Sequence, residues 1–192
     1  MAAPRILALA GSLRRESWNH RLVQVAADAA AAAGAEVTRI HLADFPLPVY
    51  DQDLEDASGL PEHAVRLKAL FREHQGLLVG CPEYNGSITA ALKNAIDWVS
   101  RPEADHPPLD CFAGRYVGLV AGSPGALGGI RGLVPVRTIL SNIQCTVLGV
   151  QAAVPRVHEV MDADGSITDE RLRGMVESVG RTLAETLVRL HA

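Results

Sequence analysis

The chain has 192 residues, 48% hydrophobic and only 4% aromatic, enough to bury one sizeable core and too few for two full domains, so a single domain over residues 1–192 is expected. A formal net charge of -4 offers no electrostatic reason to bind nucleic acid or an anionic membrane, and small molecules or protein partners come first. Cys81, Cys111 and Cys145 are widely spaced without any C-x-x-C, which argues against a disulfide framework or zinc knuckle and fits a reducing cytoplasm.

The opening "MAAPRILALAGS" carries an apolar run that Gly11 and Arg14 cut off, too short for a signal segment or a membrane span; Arg5 to Ala10 reads as a first strand. After "GSLRRESWN", Trp18, Leu22, Val25, Ala26 and Ala29 recur at helical spacing. Ala35 to Leu42 is a weaker, alternating strand nearer an edge, followed by a long irregular segment from Ala43 to Leu60 and a helix from Pro61 to Arg72. "GLLVGC" (Gly76 to Cys81) is a continuous apolar run of the kind covered on both faces. In "CPEYNGSITAALKNAIDW", Pro82 and Gly86 shape a turn, Ser87 is placed to cap a helix, and Ile88, Leu92, Ala95, Ile96 and Val99 share that helix's apolar side.

A second irregular segment runs from Arg101 to Gly114, and loops of such length in a compact domain are often functional. Tyr116 to Ala121 predicts a strand, the glycine-rich "AGSPGALGGIRG" a loop, and the stretch from Gly129 toward Ile143 a helix. Thr146 to Val154 and Thr168 to Leu190 complete the pattern as strand and helix. Strands and helices in alternation predict an α/β fold with an open, doubly wound, five-stranded parallel sheet and helices on both faces; the polar clusters that follow strands one, three and four converge on one side if this is a flavodoxin-like three-layer sandwich of strand order 2-1-3-4-5.

In such sheets ligands bind beyond the carboxyl ends of the strands, where the strand order reverses. Gly11 ends the first strand there and lets the backbone turn, and Ser12, Arg14 and Ser17 offer donors where the first helix starts, so an anion would meet free N–H groups and the positive end of the helix dipole. The same stretch also reads as a plain helix cap at Ser17 with a solvated Arg14–Arg15 pair. Leu13, Arg14 and Glu16 stand where a dinucleotide fingerprint needs glycines, and there is no P-loop, so the donors suit a compact monophosphate such as that of FMN. Tyr84 and Asn85 present an aromatic face and an amide for a flat ligand, while Gly125, Gly128 and Gly129 permit close backbone approach. None of the seven histidines pairs with another at helix or hairpin spacing, so no metal site is expected and they read as surface or capping side chains.

"GSLRRESWN" resembles the G-S-x-R-x-x-S-x-N phosphate loop of the NADPH-dependent FMN reductase family, and "PEYNGSITAALKNAIDW" resembles its P-E-Y-N signature and the helix after it. The resemblance implies that Ser12, Leu13, Arg14, Ser17 and Asn19 bind the FMN phosphate. It implies that Pro82, Glu83, Tyr84, Asn85 and Gly86 wrap the ribityl chain and the isoalloxazine, with Glu83 acting through its backbone. Ser123, Gly125, Gly128 and Gly129 would line the remaining edge of the ring. The implied activity is hydride transfer from NADPH or NADH to bound FMN and on to a quinone, free flavin, chromate or azo acceptor, in a ping-pong sequence. The cofactor would carry that chemistry, and no side chain is assigned a catalytic role. The resemblance further implies a homodimer or homotetramer, with the helix after P-E-Y-N at the interface; Tyr50 and Asp51 would reach a neighbouring subunit, or else form a solvated turn.

The alternative is a flavodoxin-like electron carrier or flavin-binding module without NAD(P)H activity of its own. A hydrolase reading of "AGSPG", with His158 or His191 downstream, fails on Pro124, which lacks the N–H an oxyanion hole needs. "DADGSITDE" lacks both end carboxylates of a calcium loop and reads as a turn, with Asp169 and Glu170 favouring the first turn of the last helix. Cys81 reads as a packed small side chain, and Lys93, Asn94 and Asp97 as a polar helix side.

Overall fold

The computed structural model describes residues 2–190. Parallel pairing joins β1 (Arg5–Ala10), β2 (Glu36–Arg39), β3 (Gly76–Gly80), β6 (Tyr116–Gly122) and β7 (Thr146–Val154) in the order β2-β1-β3-β6-β7. This is the flavodoxin-like order, because the remaining two strands, β4 (Glu83–Tyr84) and β5 (Ser87–Ile88), form a separate antiparallel hairpin. Leu7 and Leu9 of β1, with Leu77 and Val79 of β3, enter one core, while Ile6, Ala8 and Leu78 enter the other. The two-residue period of a strand thus divides a nearly uniform apolar run between two helical layers.

On one face lie α1 (Trp18–Ala32) and α7 (Glu170–Leu190), whose Leu22, Ala26, Val176 and Leu183 pack against the sheet. On the other lie α3 (Glu62–Glu73), α4 (Ala90–Val99) and α5 (Ile130–Asn142), contributing Leu67, Phe71, Leu92, Ile96, Leu133 and Val136. Gly180 lets α7 approach α1 at backbone distance, since a Cβ there would overlap the Ala26 carbonyl oxygen.

Several boundaries depart from the expectation. The segment 43–60 is not irregular throughout: a 3₁₀ turn (Leu42–Asp44) ends β2 early, and α2 (Gln52–Ser58) follows Asp51, whose carboxylate accepts from Asp53 N–H at 2.9 Å. Ser87 does not cap α4. It pairs with Tyr84 across the hairpin, and the cap is Thr89, whose Oγ1 accepts from Leu92 N–H at 3.2 Å. A one-turn helix, α6 (Val157–Val160), follows β7.

The segment 101–114 contains no helix or strand, and cations beneath it hold it in place. Lys68 is buried and donates to the carbonyls of Val99 at 3.1 Å and Arg101 at 2.6 Å, ending α4 from outside. Arg72 is paired with both Glu103 and Asp110, and Arg115 donates to the Asp110 carbonyl at 3.0 Å. Burial pushes the Asp110 carboxyl up, but its bond to Arg72 and that residue's charge outweigh burial and leave it below its usual value. Cys81, Cys111 and Cys145 are all buried, and burial raises their thiols, to about 11 for Cys111 and about 12 for Cys145. None of the three has a reactive thiolate's environment. Not every histidine is a surface or capping group: His74 is fully buried, with Nδ1 2.6 Å from the Leu70 carbonyl and Nε2 2.7 Å from the Thr38 hydroxyl.

Candidate functional site

A cleft of about 210 Å³ opens beyond the carboxyl ends of β1, β3 and β6, where the sheet order reverses. Ser12, Arg14, Ser17, Trp18 and Asn19 line one side; Pro82, Glu83 and Tyr84 line the second; Gly122, Ser123 and Pro124 close the third. The structure therefore brings together residues from all three stretches singled out in the sequence. Leu13, Asn85, Gly86, Gly125, Gly128 and Gly129 are not among its lining side chains.

The first side is an anion cradle in its chemistry. Ser17 occupies the N-cap position of α1, but its hydroxyl caps no backbone group, so the plain-cap reading fails for the side chain. The first helical bond runs from His20 N–H to the Ser17 carbonyl, which leaves the N–H groups of Trp18 and Asn19 outside the helix's own ladder. Ser12 is buried, and its Oγ accepts from Arg14 N–H at 3.2 Å while keeping its own proton to donate. Among the described residues the Arg14 guanidinium has no carboxylate partner; it lies 5.9 Å from the centre of the Trp18 ring, whose other neighbour is His158 at 6.2 Å. Arg15 is instead paired with Asp44 at 2.8 Å.

Two expectations for this loop change. Gly11 does not have a positive φ; a side chain there would strike Leu92 of α4, so close approach of a helix, rather than turn conformation, demands glycine. Asn19 is committed within the protein: its Nδ2 donates to the Gly122 carbonyl and its Oδ1 accepts from Gly122 N–H, each at 2.9 Å. It lines the cleft as a strut between α1 and the end of β6.

The second side rests on the β4–β5 hairpin. Asn85 (φ 53°) and Gly86 (φ 78°) both have the positive φ that a two-residue type I′ turn needs, which explains why an Asn-Gly pair stands between two strands this short. Tyr84 projects from it, 58% exposed. The Glu83 carboxylate is held within the protein: it is paired with Arg131 at 2.6 Å and accepts from Gly132 N–H at 3.2 Å, at the N-terminus of α5. The carboxylate is thus engaged within the protein, while the residue still lines the cleft.

On the third side, the glycines serve the scaffold. A Cβ on Gly128 would strike the backbone of Val154 and Pro155, and Gly129, left-handed at φ 88°, would bring one against Ala121. Ser123 lines the cleft with its Oγ 3.5 Å from the Gly125 carbonyl, and among the described residues no histidine, His158 included, bonds to it; His191 lies outside the described residues. Asp162 and Ser166 close the 162–170 turn, and Asp169 caps α7 through Leu172 N–H at 2.9 Å.

The sequence reading did not single out Trp18 as a lining residue, or Thr89 and His41 behind the loop. Trp18 follows Ser17 directly, and Thr89 stands three residues before Leu92 as N-caps do, so both had a local signal; His41 had none. Tyr50 is half-buried against α4, whereas Asp51 is exposed and caps α2. Tyr50 N–H donates to Asn94 Oδ1 at 2.8 Å and its ring meets Trp98 edge-on at 5.0 Å, while Asn94 and Trp98 both donate to the Pro48 carbonyl at 2.8 Å. Lys93 and Asp97 do form an exposed pair, but Asn94 between them is a clamp on the 46–51 segment.

A larger groove of about 640 Å³ lies between α1 and α7 and shares no lining residue with the cleft. Its charged walls are matched along α7, with Glu177 between Arg173 and Arg181.

The family model for "NADPH-dependent FMN reductase" matches residues 4–159. The chain belongs to that family. A quinone reductase of Escherichia coli is 32% identical, the match covering 92% of this chain and 93% of that one. An NAD(P)H-dependent FMN reductase of Pseudomonas aeruginosa is 30% identical, with 90% and 89% covered. Among solved structures, a flavoenzyme NAD(P)H:(acceptor) oxidoreductase from Paracoccus denitrificans superposes with a TM-score of 0.79 at 27% identity, covering 97% of this chain and 98% of that one. This member of the FMN reductase family is thus an oxidoreductase with FMN as its cofactor and NAD(P)H as its electron donor.

The residues present fit that cofactor. The cleft offers hydroxyl donors, a helix N-terminus and a guanidinium with no carboxylate partner among the described residues at one end, and an exposed aromatic ring at another. A terminal phosphate and a flat ring require those two kinds of surface.

Proposed function

We propose that the cleft holds FMN with its phosphate on the α1 side, against Ser12, Ser17, Arg14 and the N-terminus of α1, and with its ring between the Pro82–Gly86 turn and Ser123. The observation that carries this reading is the free start of α1 together with an uncapping Ser17 hydroxyl and an Arg14 free of carboxylate partners. Held there, FMN would supply the hydride and electron-transfer chemistry that links NAD(P)H to a second substrate in ping-pong order. The chain's own part is to bind, orient and exclude water. Loop N–H groups and Arg14 neutralise phosphate charge, Tyr84 bounds the face on which substrates lie, and Glu83 is kept turned to Arg131 so that no carboxylate opposes charge on the ring.

The acceptors proposed are small molecules: quinones above all, as in the Escherichia coli relative, with free flavin, chromate and azo compounds as further members of the class. The protein acts in the cytoplasm as a homodimer or homotetramer and as a single FMN-binding domain. Assembly is supported by an apolar groove of about 260 Å³ lined by Leu13, Leu42, Phe45, Leu47 and Ala95, beside Val49, which is 84% exposed. Among the described residues no helix is long and apolar enough to cross a membrane.

The test is an anaerobic visible spectrum of the protein with FMN, before and after NADPH or NADH. Bleaching by either donor, reversed by benzoquinone, is expected. Flavin that stays oxidised with both donors would sink the proposed activity.

A further inference from the structure

The loop from Gly11 to Ser17 is short, exposed over Leu13 to Glu16, and contains no helix or strand. Any of its peptide groups that turned a carbonyl toward the cleft would oppose an anion there, because the carbonyl oxygen carries the negative end of the peptide dipole. Two of its carbonyls, on either side of the Ser12–Leu13 pair, are held by side chains from distant elements.

Thr89, buried at the start of α4, donates its hydroxyl proton to the Gly11 carbonyl at 2.6 Å while its oxygen accepts from Leu92 N–H. His41, buried at the end of β2, accepts from Ala43 N–H at its Nδ1 (3.1 Å), so the ring proton sits on Nε2, which donates to the Arg14 carbonyl at 3.2 Å. Neither residue lines the cleft. Both reach the loop from outside, so the Gly11 and Arg14 carbonyls are directed at groups that are not the ligand. The neutral Nε2–H form of His41 is the one that satisfies both bonds. Around it stand His20 of α1, with ring centres 4.8 Å apart, and the Arg15–Asp44 pair.

We propose that Thr89 and His41 are positioning residues for FMN binding, which hold the Gly11 and Arg14 carbonyls out of the cleft and leave the loop's N–H groups and hydroxyls for the phosphate. The inference rests on the reading of this loop as the phosphate site. It assigns a role in ligand discrimination to two residues that touch no ligand, and it predicts an effect confined to the phosphate.

The decisive experiment compares FMN with riboflavin, which has the same ring and ribityl chain but no phosphate, by flavin fluorescence quenching on the flavin-stripped full chain. Wild type is expected to prefer FMN. Thr89→Val and His41→Leu should each lower FMN affinity about tenfold, the upper range for one lost hydrogen bond, with riboflavin affinity unchanged. Thr89→Ser and His41→Gln, which keep a donor for the carbonyl, should stay within about threefold of wild type for FMN. Equal losses for both flavins would mark a general structural role and overturn the proposal, as would undiminished FMN affinity in both deletion variants. If Thr89→Val fails to fold because α4 has also lost its cap, the His41 pair decides alone. A wild type that binds the two flavins equally well would overturn the phosphate-site reading itself, and this proposal with it; that failure is recognised before any variant is measured.

Discussion

Asn19 holds both backbone groups of Gly122, donating to its carbonyl and accepting from its N–H, each at 2.9 Å, across 103 residues of sequence. The pair joins the first turn of α1 to the last residue of β6 and so ties two sides of the cleft together. Replacing Asn19 with Ala leaves a buried donor and acceptor without partners, each costing about 1–3 kcal/mol. A loss of about 2–4 kcal/mol in urea-induced unfolding is expected, and a loss below about 1 kcal/mol would show that water repairs the site.

The α1–α7 contact is less forgiving. Gly180→Ala places a methyl group on the Ala26 carbonyl oxygen, a backbone atom that can shift only if a helix moves. Overpacking of this kind costs about 3 kcal/mol or more, despite alanine's better helix propensity. Thermal unfolding would register it, and an unchanged midpoint would mean that α7 slides freely on α1.

Lys68→Met keeps the length of the side chain but removes the donor to the Val99 and Arg101 carbonyls. Destabilisation by about 3 kcal/mol is expected, with new trypsin cleavage at Arg101 as the 101–114 segment loosens. Cleavage at wild-type rates would place the control of that segment with Arg72 and Arg115 instead.

The pH dependence of stability divides into two windows. Burial lowers the His74 imidazole from its usual value of about 6.5, although its bond to the Leu70 carbonyl opposes this, and His20 is lowered by burial, then by His41 and Arg15. Groups lowered in the folded state are protonated first in the unfolded chain, so stability is full above about pH 6.5 and falls as the pH drops below it. The depressed Asp110 carboxyl works at more acid pH: its contribution is present above its unfolded value of 3.8 and is lost as the pH falls through the folded one. Unfolding midpoints between pH 8 and 5 should decline in wild type and decline less in His74→Gln; parallel curves would exclude His74 as a source.

Arg14→Ala removes the cation at the cleft mouth without breaking an ion pair among the described residues; the guanidinium lies 5.9 Å from the centre of the Trp18 ring. Fold stability should change by no more than about 0.5 kcal/mol, as for other exposed positions. FMN affinity should fall about tenfold or more, the range for a charged hydrogen bond, and the loss should shrink with rising salt. An FMN affinity equal to wild type would remove Arg14 from the phosphate site.

Most elements were legible in the sequence because burial leaves a local record: β1, β3 and β6 are apolar throughout, and the helical stretches repeat their apolar residues every third or fourth position, whereas the sheet order rested on the convergence of the polar clusters and on the family resemblance. The hairpin was also written locally, in Asn85-Gly86, although it was read as a plain turn, and the cap of α4 was assigned two residues early because Ser87 has the same chemistry as Thr89. The positions of Ser12, Ser17, Tyr84 and Ser123 around one cleft follow from the strand order alone, since each stands just beyond the carboxyl end of a neighbouring strand.

What only the tertiary structure decided is which of those polar groups remain free. The Asn19 amide is joined to both backbone groups of Gly122, the Glu83 carboxylate is held by Arg131, and a Cβ on Gly128 would strike the Val154 backbone, none of which the local sequence announces. Thr89 and His41 have no visible tie to the Gly11–Ser17 loop until α4 and β2 pack beside it. A hydrogen bond between residues 103 or 78 positions apart leaves no periodic trace in the chain, because its geometry is set by how helices seat on the sheet rather than by the spacing of side chains along either one.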